Sequence, residues 1–193
     1  MISAFFLISC VAAQTQPEQQ ILGPIELNAL PKTLSPWRAD VAPVWHEAAG
    51  ALDVRFSYPD WSCVAFKPND KELWNWSDWE ALEISLFNPE SDPLIVNASV
   101  ESTKNEDGST SSMHAGCVAP AHGKNTIILR LDGKGPDDIW GMRYLPHGRI
   151  VTMGGPVDAS RIKQYTVYPV WIEKPRRLLI TQIRLVRGDA APS

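Results

Sequence analysis

The sequence predicts an all-β fold in which two antiparallel sheets stack as a sandwich of the jelly-roll kind. Three observations lead there. Short segments alternate apolar and polar residues with the two-residue period of a half-buried strand. Clusters of turn-forming residues separate these segments. The 16 prolines and 12 glycines are spread through 193 residues, which interrupts any run that could become a long helix. With 44% hydrophobic residues the chain can bury a core, and its length suits one sandwich better than two domains.

The first twenty residues read as a leader and tether rather than as part of that sandwich. Met1 to Cys10 is apolar but too short to span a bilayer, as in an export signal. Val11-Ala12-Ala13 offers the small residues a signal peptidase needs, giving a mature start near Gln14. Leu7-Ile8-Ser9-Cys10 also fits a lipobox, which would instead place a lipid anchor on Cys10. On either reading the product is exported: periplasmic, an outer-surface lipoprotein, or extracellular. Residues 14–20 then form a polar tether, residues 21–188 the sandwich, and residues 189–193 a tail.

The predicted strands follow in order. Between 51 and 58, Leu52, Val54, Phe56 and Tyr58 share one face, with Asp53, Arg55 and Ser57 on the other. Residues 63–67 form a shorter strand, stopped by Pro68-Asn69-Asp70. Leu82, Ile84 and Leu86 alternate with Glu83, Ser85 and Phe87 until Asn88-Pro89, and the alternation places Glu83 on a solvated sheet face. Leu94, Val96, Ala98 and Val100 repeat the pattern, and residues 101–112, polar and containing Asp107-Gly108, read as an exposed hairpin turn into a strand over 113–118. After His122-Gly123 comes an apolar strand over 125–131, and two more cover 165–172 and 178–186. Residues 132–158, rich in glycine and proline, are too long for a simple hairpin and read as a surface loop.

Charge and motif content exclude several functions. Net charge is −4 and the Lys and Arg residues are scattered, which argues against nucleic acid and against a polybasic membrane anchor. No Cys-x-x-Cys or clustered Cys/His spacing supports a zinc site, and no metal or cofactor is expected. Gly133-Lys134-Gly135 lacks the strand-loop-helix context of a phosphate loop, and no Gly-x-Ser-x-Gly or His-Glu-x-x-His is present. Cys63 and Cys117 are an even pair once Cys10 is removed or lipidated. They are either a disulfide or two buried thiols, and the sequence leaves both open. His114 alone of the four histidines falls in a predicted strand, as a hydrogen-bonded polar residue. Glu72, Asp78, Glu80 and Glu83 supply carboxylates for a glycosidase pair, but nothing in their spacing converges on one, so no catalytic residue is assigned.

Phe66-Lys67-Pro68 and Trp74-Asn75-Trp76-Ser77-Asp78-Trp79, running on to Asn88-Pro89, carry a resemblance. It continues through Gly141-Met142-Arg143, residues 157–162 and residues 179–185. Over about residues 45–187 the chain resembles the N-terminal carbohydrate-binding-like β-sandwich module of glycoside hydrolase family 50 β-agarases and related polysaccharide-degrading enzymes. The resemblance implies a galactose-binding-like jelly roll that contributes to binding an agar-type galactan beside a catalytic barrel. No counterpart of that barrel or its carboxylates is found on this chain, so the module would be stand-alone or detached from its glycoside hydrolase. Thr181-Gln182 stands where such modules often carry an acidic residue followed by Asn, so no shared ligand or ion role is carried over there.

Sugars present apolar CH faces that stack on aromatic rings and hydroxyls that need polar partners. The candidate polysaccharide site is therefore Trp61 and Trp74 as stacking rings, with Lys67, Arg143 and Tyr144 as polar partners, all in turn-rich sequence. Trp76 and Trp79 read instead as structural, with Ser77 or Asp78 capping a turn. The alternative function is a structural sandwich that packs on a partner enzyme without binding sugar.

Overall fold

Alternation alone does not say which strands meet; register does. The computed structural model describes residues 20–22, 34–37, 43–56, 62–68, 73–104, 110–132, 144–145, 149–154 and 157–187. Its strands are β1 (Gln20–Leu22), β2 (Leu34–Trp37), β3 (Val44–His46), β4 (Ala51–Phe56), β5 (Cys63–Phe66), β6 (Ala81–Phe87) and β7 (Leu94–Lys104). They continue with β8 (Thr110–Ala119), β9 (Lys124–Arg130), β10 (Tyr144–Leu145), β11 (Arg149–Gly154), β12 (Ile162–Pro169) and β13 (Arg176–Val186). Sheet A has the order β3-β4-β13-β6-β9, with β1 also on β13; sheet B has the order β10-β11-β8-β7-β12-β5-β2. Neighbouring strands pair antiparallel in both sheets. Consecutive strands lie in different sheets at β1–β2, β2–β3, β4–β5, β5–β6, β6–β7, β8–β9, β9–β10 and β12–β13, which makes the all-β sandwich that the sequence predicts.

The apolar halves of the alternating strands meet between the sheets. Leu52, Val54, Phe56, Leu82, Ile84 and Leu86 of sheet A and Val64, Phe66, Val96, Ala98 and Val100 of sheet B form one cluster. Two strands change phase on the way. In β13 the core residues are Leu178 and Ile180, then Ile183 and Leu185, and the extra residue is taken up by a bulge between Ile180 and Gln182. A second bulge in β12, between Ile162 and Gln164, moves the core phase from Ile162 to Tyr165 and Val167. That shift turns Gln164, Thr166 and Tyr168 to the outside of sheet B.

Several sequence expectations need correction. The polar stretch 101–112 is mostly strand: β7 runs to Lys104 and β8 begins at Thr110, because polar residues on the outer face pair as well as apolar ones. The presumed loop 132–158 contributes β10 and β11, which extend sheet B beyond β8. His46 also lies in a strand, β3. Glu83 is not solvated; it is buried, directly opposite Arg184 in the register and 2.5 Å from its guanidinium. Asp53 is likewise buried, and Arg177 donates three hydrogen bonds to its carboxylate at 2.7–3.0 Å.

The 165–172 strand also ends early, at Pro169. Trp171 then adopts φ 53°, in the left-handed region that favours glycine, and is 73% exposed. Holding a bulky side chain there costs about 1–3 kcal/mol.

Cys63 and Cys117 do not meet. Cys117 is buried in the core on β8, whereas Cys63 lies on β5, and β7 and β12 separate these strands. Three inter-strand spacings amount to about 14 Å, far beyond disulfide reach.

Candidate functional site

The outer face of sheet B carries a cleft of about 510 Å³. Its lining comes from four adjacent strands: Cys63 and Ala65 of β5 with Lys67 just beyond, Lys163, Gln164, Thr166 and Tyr168 of β12, Ser99 and Glu101 of β7, and His114 of β8. Register sets these residues in transverse rows. Ala65, Thr166, Ser99 and His114 are cross-strand partners in one row. Gln164, Glu101 and Ser112 form the row on one side, and Tyr168, Asn97 and Gly116 the row on the other.

The floor is held by hydrogen bonds between neutral groups. The Ser99 and Thr166 hydroxyls are 2.6 Å apart, and both residues are buried. His114 Nδ1 lies 3.0 Å from the Tyr168 hydroxyl and its Nε2 lies 3.3 Å from Ser112 Oγ, so a neutral imidazole donates on one side and accepts on the other. Burial holds the His114 pKa below the ordinary histidine value, with Glu101 opposing. Burial likewise raises Tyr168, against a hydrogen bond from Asn97, and raises the Cys63 thiol, against Lys67. At neutral pH the floor is therefore uncharged. Glu101 is engaged by Lys163 at 3.4 Å at the rim.

Gly116 is required by this floor. A Cβ there would stand 2.1 Å from Asn97 Oδ1 and 2.7 Å from the Val96 carbonyl, so only glycine lets the Asn97 side chain lie across β8. Asn97 Oδ1 itself is buried without a hydrogen-bond partner among the described residues.

Of the residues singled out from sequence, Lys67 is exposed and lines this cleft. Trp74 does not. It bridges Ile162 through two backbone hydrogen bonds of 3.0 and 2.9 Å, and its half-buried ring stacks on Trp76 at 5.4 Å and tilts against Tyr165 at 5.6 Å. Tyr165 in turn stacks at 4.6 Å on Phe66, its cross-strand partner. Trp76 is buried, as expected; the turn cap is Asn75, whose Oδ1 accepts from the Ser77 amide and hydroxyl at 3.1 and 2.7 Å. The half-buried Trp79 ring is covered by the Arg187 guanidinium at 4.5 Å. Trp61, Arg143 and Cys10 lie outside the described residues, and Tyr144 is described only through its backbone, which pairs with Ile150. Sequence reading missed Tyr168, His114, Ser99, Thr166 and Gln164 as a group, although the pattern Gln164-Tyr165-Thr166-Val167-Tyr168 carries the signal: polar and aromatic residues on the outer half of a strand whose other half is apolar.

Among the described residues, no group of His, Cys, Asp and Glu side chains could hold a metal ion, and Glu101 is the only carboxylate in the cleft lining. A paired-carboxylate hydrolysis needs two.

Two stacked antiparallel sheets with a cleft on one open face form a β-sandwich, and several solved structures share this fold. The chain superposes on an agarase, AgWH50C, with a TM-score of 0.65 and 15% identity, over 92% of this chain and 25% of that one. An exo-beta-agarase gives 0.63 and 13%, over 89% of this chain and 26% of that one. The family 11 carbohydrate-binding module of the cellulosomal cellulase Lic26A-Cel5E of Clostridium thermocellum gives 0.56 and 14%, over 90% of this chain and 97% of that one. The chain thus spans about a quarter of the agarase chains and nearly the whole of the isolated module. No family model and no curated protein matches the sequence. At these identities the likeness is one of fold, and at that level it agrees with the resemblance read from the sequence.

Proposed function

We propose that this chain is a non-catalytic polysaccharide-binding module that takes an agar-type galactan in the sheet B cleft. The observation that carries this reading is the floor itself: the neutral hydrogen-bonding groups of Gln164, Ser99, Thr166, His114 and Tyr168 sit side by side under an open cleft. Such groups satisfy sugar hydroxyls, and the half-buried Tyr168 ring offers an apolar surface to a sugar CH face. Lys67 supplies a cationic donor at the rim. The galactan class is supported by the sequence resemblance and by the agarases that share the fold. The test is retention on agarose by affinity electrophoresis. Wild type should be retarded, and Tyr168→Ala should lose about tenfold in affinity for one lost ring contact and its hydroxyl. A wild type that runs freely through agarose and other polysaccharide gels contradicts the proposal.

A second reading is a sandwich that packs on a partner glycoside hydrolase and binds no sugar. The agarase matches favour it, since there a piece of this size is a quarter of a larger chain. It predicts association with such an enzyme in the absence of any retention on agarose. We also propose export, supported by the apolar residues 1–10 and the small residues before Gln14. N-terminal sequencing of the mature product decides it: intact Met1 on cytoplasmic protein contradicts export, and a lipid-modified Cys10 selects the anchored form.

A further inference from the structure

Beyond Tyr168 the outer face of sheet B changes character. The next row consists of Val170, whose amide bonds to the Ile95 carbonyl at 2.9 Å, then Ile95 and its cross-strand partner Val118. All three are half-buried aliphatic residues where the previous rows are polar. One residue past this row stands Trp171, 73% exposed at φ 53°. A turn alone would place glycine there without strain, and burial does not offset the strain because the ring is in solvent. The fold therefore does not account for Trp171.

We infer that the cleft continues past Tyr168 onto this shelf of Ile95, Val118 and Val170, and that Trp171 at its end is a second stacking site for the polysaccharide chain held in the cleft. The inference rests on the proposed function and deepens it: the ligand is a long chain running along β12, not a short end group. Continuity of the rows supports a single occupant, because the shelf lies one row, about 7 Å, beyond Tyr168 on the same strands. The surroundings fit a sugar better than a protein partner. Protein interfaces bury about 800 Å² a side around a core depleted of charge. Here a single exposed ring is followed in the chain by the exposed Glu173 and by Lys174, which pairs with Asp92, while the other exposed large apolar residues among those described, Val44 and Leu73, lie on other segments. An isolated ring among polar groups suits the apolar face of one pyranose flanked by hydroxyls.

Calorimetric titration with neoagarotetraose and neoagarodecaose tests this. Wild type should bind the longer sugar more tightly. Trp171→Ala should lose that advantage, about tenfold for one stacked ring, while its tetraose affinity stays at the wild-type value. Trp171→Gly, which relieves the backbone, should bind like the alanine variant with an equal or higher Tm, so that lost binding cannot be ascribed to misfolding. Wild-type decaose affinity in both variants overturns the inference and leaves the cleft as the binding site. An equal loss for both sugars also overturns it, since Trp171 would then act on the cleft itself. A wild type that binds neither sugar fails at the earlier step and removes the proposed function together with this extension.

Discussion

The two outer faces of the sandwich are built from the same alternating pattern and end in opposite states. On sheet A the charged outward residues satisfy one another: Asp53 takes three hydrogen bonds from Arg177, and Glu83 faces Arg184 at 2.5 Å. Beside them, Ser85 and Thr126, cross-strand partners, approach to 3.4 Å. On sheet B the outward residues are mostly neutral, and their hydrogen bonds run along the floor of a 510 Å³ cleft. The difference shows that a polar sheet face is not by itself a site. Where opposite charges lie within reach of one another the face closes over its own groups; where hydroxyl, amide and imidazole groups stand in register beneath open space, the face keeps capacity for a ligand.

The largest effect should fall on neither face but at the aromatic end that joins them. Trp76 is buried and stacks on Trp74 and against Tyr165. Trp76→Ala should cost about 3–5 kcal/mol, read as a lower denaturation midpoint in urea. A smaller effect, about 1 kcal/mol, is expected for Asp53→Ala, because Arg177 is 39% exposed and water replaces much of what the carboxylate gave it. That variant should be retained on agarose like wild type. Loss of retention in Asp53→Ala with an intact fold would break the distinction between the faces.

The smallest effect is one of pH and belongs to sheet B alone. The His114 pKa is lowered in the folded protein by burial, with Glu101 opposing, while Lys67, Lys163, Cys63 and Tyr168 share its cleft. The unfolded chain takes up a proton near pH 6.5, before the folded chain does. The stability that His114 contributes is thus complete above that value and is lost as pH falls from there through the lower folded pKa. Wild type should lose Tm over this window relative to His114→Gln, and parallel Tm profiles for the two proteins would contradict the assignment of His114 as a half-buried neutral group.

Much of this fold was legible in sequence because the core half of each strand is continuous: Leu82, Ile84, Leu86 and Leu94, Val96, Ala98, Val100 announce themselves by period. What could not be read was phase and partnership. The bulges in β12 and β13 shift the inward residues by one position, and only the paired strands reveal them. The site was harder still, since Ser99, His114 and Thr166 come from three strands, far apart in sequence, and become neighbours through register alone. The tryptophan-rich run drew attention to Trp74, yet composition does not distinguish a ring stacked on Trp76 from one facing a ligand. Trp171, hidden inside a predicted strand, was exposed only by the backbone turning to positive φ.

Which face receives the polysaccharide is asked directly by an NMR titration of the isotopically labelled protein with neoagarohexaose. Amide shifts should concentrate on the strands that line the cleft, at Ala65, Ser99, His114, Thr166 and Tyr168, and leave Asp53, Glu83, Arg177 and Arg184 unmoved. Shifts confined to the sheet A residues, or none at saturating sugar, would contradict it.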